Sequence, residues 1–318
     1  MPRQKKNPTL APATIDWTTL IADFGDYLRS LDRSPQTVKG YCIDLVKFAA
    51  WAVERGLDKP ADLALHDVRE YKAALIASGA KPQTINRPVA ALRTLTTWAR
   101  AQGHCQVDLA TIRSEREETP PPKWLERKEQ NALMRAVAQH HSDPTEAAAI
   151  ALMLHAGLRV AEAAEVKWGD VEISDRKGFV TVRSGKGRKR RRVPLNTEAR
   201  EALSHLRVAR CVPRDAASHV LRGQRGELGV RGLQHMVKAV GDQAKIEGLY
   251  PHILRHTFCR RLAESGARLE TIAALAGHER IETTRRYVEP GEEDLARAVE
   301  SSSAAAEAPP RRAAKSRK

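Results

Sequence analysis

The chain contains few cysteines and few aromatic residues, and it has no long apolar run. Its 318 residues include only four cysteines, and none of them forms a C-x-x-C pair. This scarcity argues against a disulfide framework and against a zinc site, and it fits a reducing cytoplasm. No apolar run approaches the roughly 18 residues that a membrane-spanning helix needs. The basic start, MPRQKKNPTL, has no hydrophobic region behind it, so we expect no secretory signal.

Acidic residues are in the minority. The chain has 39 Asp and Glu residues against 54 Lys and Arg residues, which gives a formal net charge of +15. A surplus of this size predicts a polyanionic partner, and nucleic acid fits better than a membrane surface; the alternative is a merely soluble basic protein. The apolar fraction of 42% allows a folded core, and the length suits about two domains.

Two kinds of catalytic motif are missing from the sequence. No G-x-x-x-x-G-K-[ST] loop occurs, so the chain has no signature for binding nucleotide phosphates. No acidic cluster suggests the two-metal site of a nuclease. We therefore expect chemistry that needs no metal ion and no other cofactor.

The first half of the chain has helical periodicity throughout. Ser34-Pro35 combines a capping residue with a proline at the first helical position, and apolar residues follow at the spacing of one buried face. Further helices are predicted near 64–78 and 82–102, with Gly103 ending the last. These elements make a bundle of about four helices, which would present KPQTINRPVAALR and the start of the Ser34 helix to DNA.

The second half is predicted to mix helices with a small sheet. Helices are expected at about 126–140 and 144–157 and again from about 197 to Tyr287. Between them the short runs VEISD, GFVTVRSG and RRRVPLN are rich in β-branched residues and punctuated by glycine, which predicts a small antiparallel sheet. The predicted fold class is therefore mainly α with a small antiparallel β-sheet.

Composition also predicts the division of the chain. The charged, proline-rich stretch SEREETPPPKW cannot continue a helix and is typical of a linker, and the last 18 residues are basic and low in complexity. The expected segments are a basic arm (1–13), a helical domain (14–106), a linker (107–122), a second domain (123–291), a short helix (292–300) and a disordered basic tail (301–318).

Two motifs combine an arginine with a second functional residue three positions away. In PHILRH, a helix would place His252 and Arg255 on one face. The imidazole could transfer a proton, and the guanidinium beside it could bind phosphate oxygens; the alternative is an ordinary surface pair. In GLRVAEAAEV, Arg159 follows a glycine turn at the start of a predicted helix, a favourable place for an anion. Glu162 could orient a basic neighbour, or the two could form an ordinary ion pair.

A third motif, VRSGKGRKRRRVPL, joins two predicted strands through a Gly-Lys-Gly turn. Seven of the ten residues from 183 to 192 are Arg or Lys. Most of them are expected to form a solvated face or a simple phosphate-binding patch. Lys186 is the exception, because its flanking glycines would place it at a mobile hairpin tip that could reach into a groove.

A fourth motif, LAGHERIETTRRY, ends on one of the five tyrosines of the chain. Gly277 is predicted to end a short helix, His278 follows it, and Tyr287 lies nine residues further on. Alone, His278 would be a satisfied histidine at a helix terminus, and Tyr287 would be a phenol packed at the edge of a core. None of the four motifs is decisive by itself.

Together the motifs supply, in order, Arg159, Lys186, His252, Arg255, His278 and Tyr287. This order and these settings resemble the tyrosine recombinase (phage integrase) family over most of residues 123–290. SPQTVKGYCIDLVKFAAW in the first half also resembles that family's core-binding domain. The resemblance implies a helical, SAM-like core-binding domain followed by an α+β catalytic domain.

The resemblance also implies a mechanism. Tyr287 would attack a DNA phosphodiester and form a covalent 3′-phosphotyrosine, although a free phenol needs help to react at neutral pH. Arg159 and Arg255 would bind the non-bridging oxygens, and His278 would add a hydrogen bond. His252 would accept the tyrosine proton and Lys186 would donate one to the leaving 5′-oxygen.

The expected partner is double-stranded DNA, in the cytoplasm at the nucleoid, with no membrane partner. By resemblance the working unit would be a homotetramer on two DNA sites, with a partner recombinase or directionality factor as a further candidate. Residues 292–300 would pack into a neighbouring subunit or fold back on their own domain. Candidate DNA contacts are Lys39, Asn86, Arg87, Arg188 and Lys189.

Three functions remain open at this point. One is site-specific recombination, for integration or excision of a mobile element or for resolution of DNA multimers. The length fits a mobile-element recombinase or a Xer-like resolvase, and the basic tail favours the mobile element. The second is DNA relaxation of the type IB topoisomerase kind, which shares the chemistry. The third is a DNA-binding accessory protein without catalysis, which the presence of all six residue types argues against.

Overall fold

A computed structural model of the protein describes residues 15–116, 122–139, 143–183, 190–212, 217–224 and 226–287. The chain divides into two compact units, Met1–Pro120 and Pro121–Lys318, called here the N-terminal and C-terminal domains. Their boundary falls inside the predicted linker. No helix in the described ranges is long and apolar enough to cross a membrane.

The N-terminal domain is a bundle of four helices, as predicted. They are α1 (Trp17–Ser30), α2 (Pro35–Val53), α3 (Leu65–Ala77) and α4 (Pro82–Ala101). The predicted start at Ser34 is confirmed, because its hydroxyl accepts the Thr37 backbone N–H at 3.1 Å and Pro35 occupies the first helical position. Large apolar side chains fill the centre, where Trp17 meets Phe48 edge-on at 5.5 Å.

Residues 107–116 belong to this domain, although the linker is predicted from residue 107. Val107, Leu109 and Ile112 are buried in the helical core. Side chains of the helices also bind the backbone of this segment: the Lys72 ammonium donates to the Arg113 carbonyl at 2.7 Å. The segment has no helical periodicity, yet three buried apolar side chains are enough to hold it against the bundle.

The C-terminal domain contains eight helices and two small sheets among its described residues. The helices are α5 (Arg127–Gln139), α6 (Pro144–Leu154), α7 (Val160–Glu165), α8 (Thr197–Ala209), α9 (Val230–Gln243), α10 (Pro251–Glu264), α11 (Leu269–Ala276) and α12 (Glu282–Arg285). The strands are β1 (Val171–Ile173), β2 (Gly178–Arg183), β3 (Arg190–Pro194), β4 (Arg222–Gly223) and β5 (Gly226–Glu227). The predicted mainly α class with a small antiparallel sheet is confirmed.

Strands β1, β2 and β3 form an antiparallel sheet in chain order, with Val180 opposite Val171 on one side and Val193 on the other. The β4–β5 hairpin is not predicted, because two-residue strands are too short to show periodicity. The helix predicted over 144–157 ends at Leu154, since Gly157 adopts a left-handed conformation with φ +64°.

Helix α6 is the centre of the C-terminal core. All residues from 148 to 154 are buried, so the helix is apolar on every side. It packs against α8 and α10, while α7 and α9 lie beside it. This arrangement holds the start of α7 and the first turns of α10 together, and the candidate site lies there.

Candidate active site

Arg159 lies at the N-cap of α7, as predicted, with extended backbone dihedral angles. Its guanidinium donates to Glu162 Oε1 at 2.9 Å and to the Gly277 carbonyl at 2.9 Å. The Glu162 carboxylate also accepts the Arg159 backbone N–H at 2.8 Å. The predicted Arg159–Glu162 pair therefore exists, and the first free N–H of the helix is bound by this carboxylate.

Arg255 is the buried arginine of the site. It lies on α10, and its residue is only 4% exposed. Its guanidinium donates to the Gly157 carbonyl at 2.7 Å and to the Ala276 carbonyl at 2.5 Å. Burial, followed by the charge of Arg159, lowers the pKa of Arg255 to about 10, so it remains a cation at neutral pH.

A third arginine, Arg191 on β3, completes the cluster. Its Nη atoms donate to both oxygens of Glu162, at 2.8 and 2.7 Å, and its Nε donates to the Leu275 carbonyl at 2.9 Å. Burial alone would raise the pKa of Glu162, but hydrogen bonds from Arg191 and from the Arg159 backbone hold it at about 2. Glu162 is therefore an anion among three cations.

The C-terminal end of α11 organises these arginines. Its last carbonyls have no partner within the helix and carry the negative end of the helix dipole. Arg191 binds the carbonyl of Leu275, Arg255 binds that of Ala276, and Arg159 binds that of Gly277. Gly277 has φ +67°, as a helix C-cap in the left-handed region requires. The predicted end of the helix at Gly277 is confirmed.

His278 follows this turn and leads to Tyr287. Its Nδ1 shares a hydrogen bond with the Thr284 hydroxyl at 2.7 Å, and its ring lies nearly parallel to the Tyr287 ring, 6.2 Å between centroids. Burial, followed by the charges of Arg255 and Arg159, lowers the pKa of His278 to about 4. The imidazole is therefore neutral at pH 7.

Tyr287 is packed into a small core. It is 3% exposed and contacts a cluster with Phe258, Cys259, Ile272 and Ala276. Burial raises the pKa of its phenol above the usual range. Its hydroxyl nevertheless has a polar partner, because it forms a short hydrogen bond with Nδ1 of His256.

The two histidines of α10 differ in position. His252 is exposed, and burial of part of its ring, followed by the charges of Arg255 and Arg159, lowers its pKa. His256 lies one turn further along the helix, with its ring centroid 6.2 Å from that of His252. Of the two histidines, His256 is the one with a described hydrogen bond to the Tyr287 hydroxyl. Both rings therefore line one face of α10.

The structure thus brings together five of the predicted residues: Arg159, Glu162, Arg255, His278 and Tyr287. His252 lies next to His256, with 6.2 Å between the two ring centroids, and His256 in turn contacts Tyr287. Lys186, Arg188 and Lys189 lie outside the described residues, between the paired ends of β2 and β3 at Arg183 and Arg190.

Two residues of the site are not predicted from the sequence. Arg191 is one member of the basic run, yet it lies two positions before the buried Val193, and residues two apart in a strand share a face. His256 is four positions after His252, and that spacing places both on one helix face. Each spacing was a usable signal.

The three DNA contacts predicted in the N-terminal domain have different surroundings. Lys39 is exposed on α2. The Asn86 side chain exchanges two hydrogen bonds with the Glu115 backbone, at 2.9 and 2.7 Å. Arg87 binds both oxygens of the buried Asp44, at 2.6 and 2.7 Å. Asn86 and Arg87 therefore have structural roles, and DNA contact by all three stays a prediction.

No group of three or more His, Cys, Asp or Glu side chains within the described ranges is arranged to hold a metal ion. The cluster offers instead several guanidinium donors, two neutral imidazoles next to a phenol, and a carboxylate that binds the arginines. Such a set can bind a phosphate group and activate a hydroxyl.

Comparison with known proteins identifies the family of this chain. Residues 123–293 match the phage integrase family, and residues 21–103 match the phage integrase N-terminal SAM-like domain. Tyrosine recombinase XerC of Pseudomonas fluorescens is 32% identical over 266 residues, which cover 82% of this chain and 88% of the relative. XerC of Xanthomonas campestris pv. campestris (strain B100) is 29% identical over 261 residues, covering 80% and 78%.

Solved structures share the fold. The XerH site-specific recombinase bound to palindromic difH substrate has a TM-score of 0.73 at 18% identity, covering 88% of this chain and 83% of that one. The Tn1549 transposon integrase in complex with circular intermediate DNA has a TM-score of 0.68 at 18% identity, covering 90% and 99%. The chain belongs to the phage integrase family of tyrosine recombinases, which are enzymes of site-specific DNA recombination.

Proposed function

We propose that this recombinase cuts and rejoins double-stranded DNA at a specific site through a covalent 3′-phosphotyrosine on Tyr287. One observation carries the proposal: the Tyr287 ring, His278 and two arginines meet at the carbonyl end of a single helix, α11. A phosphodiester placed beside that end would adjoin both the nucleophile and the groups that stabilise its charge.

Arg159 and Arg255 bind the non-bridging oxygens in this proposal. Each guanidinium has five N–H donors and uses only some of them on protein acceptors. The Arg159 side chain is 39% exposed, so it can present its remaining donors to DNA. In this proposal His278 Nδ1 accepts the Thr284 hydroxyl, so that the neutral ring carries its hydrogen on Nε2 and donates it to the phosphate. These donors stabilise the charge of the pentavalent transition state.

Lys186 protonates the leaving 5′-oxygen, and the phosphotyrosine keeps the energy of the broken phosphodiester. A 5′-hydroxyl from another strand then attacks the phosphotyrosine and releases Tyr287. The cycle is a pair of transesterifications and consumes no nucleotide. Since Tyr287 is 3% exposed, DNA binding must uncover its hydroxyl before the first attack.

The net charge of +15 supports tight, salt-dependent contact with the DNA backbone. We infer a homotetramer on two DNA sites as the working unit; residues 292–300, the candidate subunit-exchange segment, lie outside the described residues. The same chemistry serves integration or excision of a mobile element and resolution of DNA multimers. The genomic position of the cleaved site distinguishes these roles.

The test identifies the cleaved site and the nucleophile together. Wild type, Tyr287→Phe and the control Tyr250→Phe, which removes an exposed phenol, are expressed in cells carrying the native genome. The cells are lysed under denaturing conditions, and DNA still covalently bound to protein is sequenced. We expect adducts at one sharp sequence in wild type and Tyr250→Phe, and none in Tyr287→Phe.

Other outcomes would contradict the proposal in different ways. Adducts scattered without sequence preference would support relaxation of the type IB topoisomerase kind. Adducts in Tyr287→Phe would exclude this tyrosine as the nucleophile. No adduct in any of the three proteins would support a DNA-binding accessory protein.

A further inference from the structure

The partner of the Tyr287 hydroxyl is His256, not the histidine that the H-x-x-R motif predicts. We propose that His256 is a catalytic residue, which takes the proton from Tyr287 as its oxygen attacks the phosphodiester. This inference rests on the proposed function, because it assumes that Tyr287 is the nucleophile. It moves the role of proton acceptor from His252 to the residue one helical turn away.

Geometry distinguishes the two histidines. A general base must be within hydrogen-bond reach of the proton that it removes. His256 meets this condition through Nδ1, and the two rings lie 5.5 Å apart between centroids. His252 is exposed, and no hydrogen bond among the described residues connects it to Tyr287. His252 is therefore placed to face solvent or DNA.

His278 is less suited to accept this proton. Its ring is nearly parallel to the Tyr287 ring, with an angle of 13° between the two planes and 6.2 Å between the centroids. Its Nδ1 is already bound to the Thr284 hydroxyl at 2.7 Å. A base needs a nitrogen within hydrogen-bond reach of the phenol hydrogen, and among the described hydrogen bonds His256 is the histidine that meets this condition.

Burial and the surrounding charges keep the His256 ring neutral, so Nδ1 has a lone pair that can accept a proton. Burial, followed by the neighbouring His252 and Arg255, lowers the pKa of His256 to about 4, so the ring is neutral above pH 5. The groups that surround it and the phenol are His252, Arg255, Cys259 and Arg260 on α10, with Arg159, His278 and Arg286. The incoming phosphodiester adds a negative charge, which stabilises the imidazolium formed in the step.

The proton and electron movements balance. The Tyr287 oxygen forms a bond to phosphorus while its proton passes to Nδ1 of His256. The bond between phosphorus and the 5′-oxygen breaks, and the leaving oxygen takes a proton from Lys186. The products are a 3′-phosphotyrosine, a free 5′-hydroxyl, an imidazolium and a neutral lysine. Rejoining runs the same transfers in reverse.

The first test uses the wild-type protein without DNA. If Nδ1 accepts the phenol proton, the neutral ring must carry its own hydrogen on Nε2. Nitrogen NMR of protein labelled in its histidines reports this tautomer, and Tyr287→Phe identifies the His256 signal because it removes the hydrogen-bond partner. A signal with hydrogen on Nδ1 would mean that His256 donates to the phenol, and the proposal would be overturned.

The second test measures cleavage of a nicked duplex that carries the sequence recovered from wild-type adducts. His256→Asn keeps an oxygen acceptor near the position of Nδ1 but cannot take up a proton. We expect it to form adducts about 10²- to 10⁴-fold more slowly than wild type. His252→Asn and the exposed control His205→Asn should lose far less, and melting temperatures check that each variant is folded.

The pH dependence of the adduct rate distinguishes a catalytic role of His256 from a purely structural one. With His256 present the adduct rate should be nearly flat between pH 6 and 9, since the ring is already neutral. In His256→Asn the reaction needs the phenolate, so its rate should rise about tenfold for each pH unit. Added imidazole should raise the rate of His256→Ala.

The results distinguish failure of the proposed role of His256 from failure of the proposed function. Absence of wild-type adducts would refute the proposed function itself. Wild-type adducts together with a fast His256→Asn and a flat pH profile would leave the proposed function intact and refute the role of His256. A pH-dependent rate in His252→Asn but not in His256→Asn would return that role to His252.

Discussion

Arg191 binds Glu162 through both of its Nη atoms, at 2.8 Å to Oε1 and 2.7 Å to Oε2, although the two residues lie 29 positions apart. The same Glu162 carboxylate binds Arg159, and Arg191 also binds the carbonyl end of α11. One acidic side chain and one helix end therefore fix the positions of the arginines that would bind phosphate. The precision of the site depends on residues that need not touch DNA.

The bidentate geometry predicts that lysine cannot replace Arg191. A lysine supplies one point charge and cannot reach two carboxylate oxygens and the Leu275 carbonyl together. We expect Arg191→Lys to lower the free energy of unfolding by about 1–3 kcal/mol and the adduct rate by about 10- to 100-fold. Arg192→Lys is the matched control, because that neighbour is largely exposed. Equal losses in the two variants, measured by urea unfolding and adduct formation, would contradict the prediction.

The ionised Glu162 carboxylate is predicted to stabilise the folded protein in a pH-dependent way. Its pKa is about 2 in the folded protein and near 4.5 in an unfolded chain. A group with a depressed folded pKa stabilises above its unfolded value, and the contribution disappears as the pH falls through the folded value. The contribution should be on the order of 3 kcal/mol at pH 7 and should decline between about pH 5 and pH 2.

Urea titrations of wild type and Glu162→Gln measure this contribution, read by hydrogen exchange of peptides from residues 143–183. The difference in unfolding free energy between the two proteins should shrink as the pH falls. Glu201→Gln, which alters an exposed carboxylate on α8, should show no such trend. A constant difference for Glu162→Gln from pH 7 to pH 3 would refute the proposed charge network.

Gly157 is predicted to tolerate no side chain. Its φ is +64°, and an added Cβ would lie 2.6 Å from Cε1 of Phe258 and closer still to another ring atom. Its carbonyl also binds Arg255. Gly248 has a similar φ of +67° with open space around it, so Gly248→Ala measures backbone strain alone.

We therefore expect Gly157→Ala to destabilise the domain by about 2 kcal/mol or more beyond the cost of Gly248→Ala. Urea unfolding of the two variants gives this difference directly. Adduct formation should fall only in Gly157→Ala, because Arg255 loses its position there. Similar unfolding free energies in both variants would show that Phe258 moves aside without cost.

Removal of the Arg87 side chain and removal of the Lys39 side chain should affect the stability of the N-terminal domain differently, although both residues are predicted DNA contacts. Arg87→Ala leaves the carboxylate of Asp44, a residue only 3% exposed, without its described partner. This should cost about 3 kcal/mol of N-terminal domain stability, and Arg87→Met with Asp44→Leu should recover part of it. Hydrogen exchange of α2 and α4 measures the loss.

Lys39→Ala should change stability by less than about 0.5 kcal/mol, because Lys39 is exposed. Because Lys39 is predicted to contact a phosphate, its removal should reduce the number of counterions released on DNA binding by about one, which lowers the slope of log affinity against log salt concentration. Binding titrations at several salt concentrations measure this slope. An unchanged slope in Lys39→Ala would remove it from the DNA surface.

Local sequence determined much of this protein. Ser34-Pro35 starts a helix, Gly277 ends one, and the three β-branched runs pair as a sheet, because caps, glycine dihedral angles and side-chain periodicity act within a few residues. The order of the motifs also predicted the family and five residues that the structure brings together. These features do not depend on the details of long-range packing.

Tertiary structure alone decided the finer assignments. The binding of Glu162 by Arg191, the choice of His256 over His252 as partner of Tyr287, and the packing of residues 107–116 against the bundle depend on contacts between distant segments. Arg191 and Arg192 are neighbours of identical type, yet one is inside the cluster and the other is exposed. The pleat of β3 and the position of α11 separate them, because burial and hydrogen-bond partners exist only once the chain is folded.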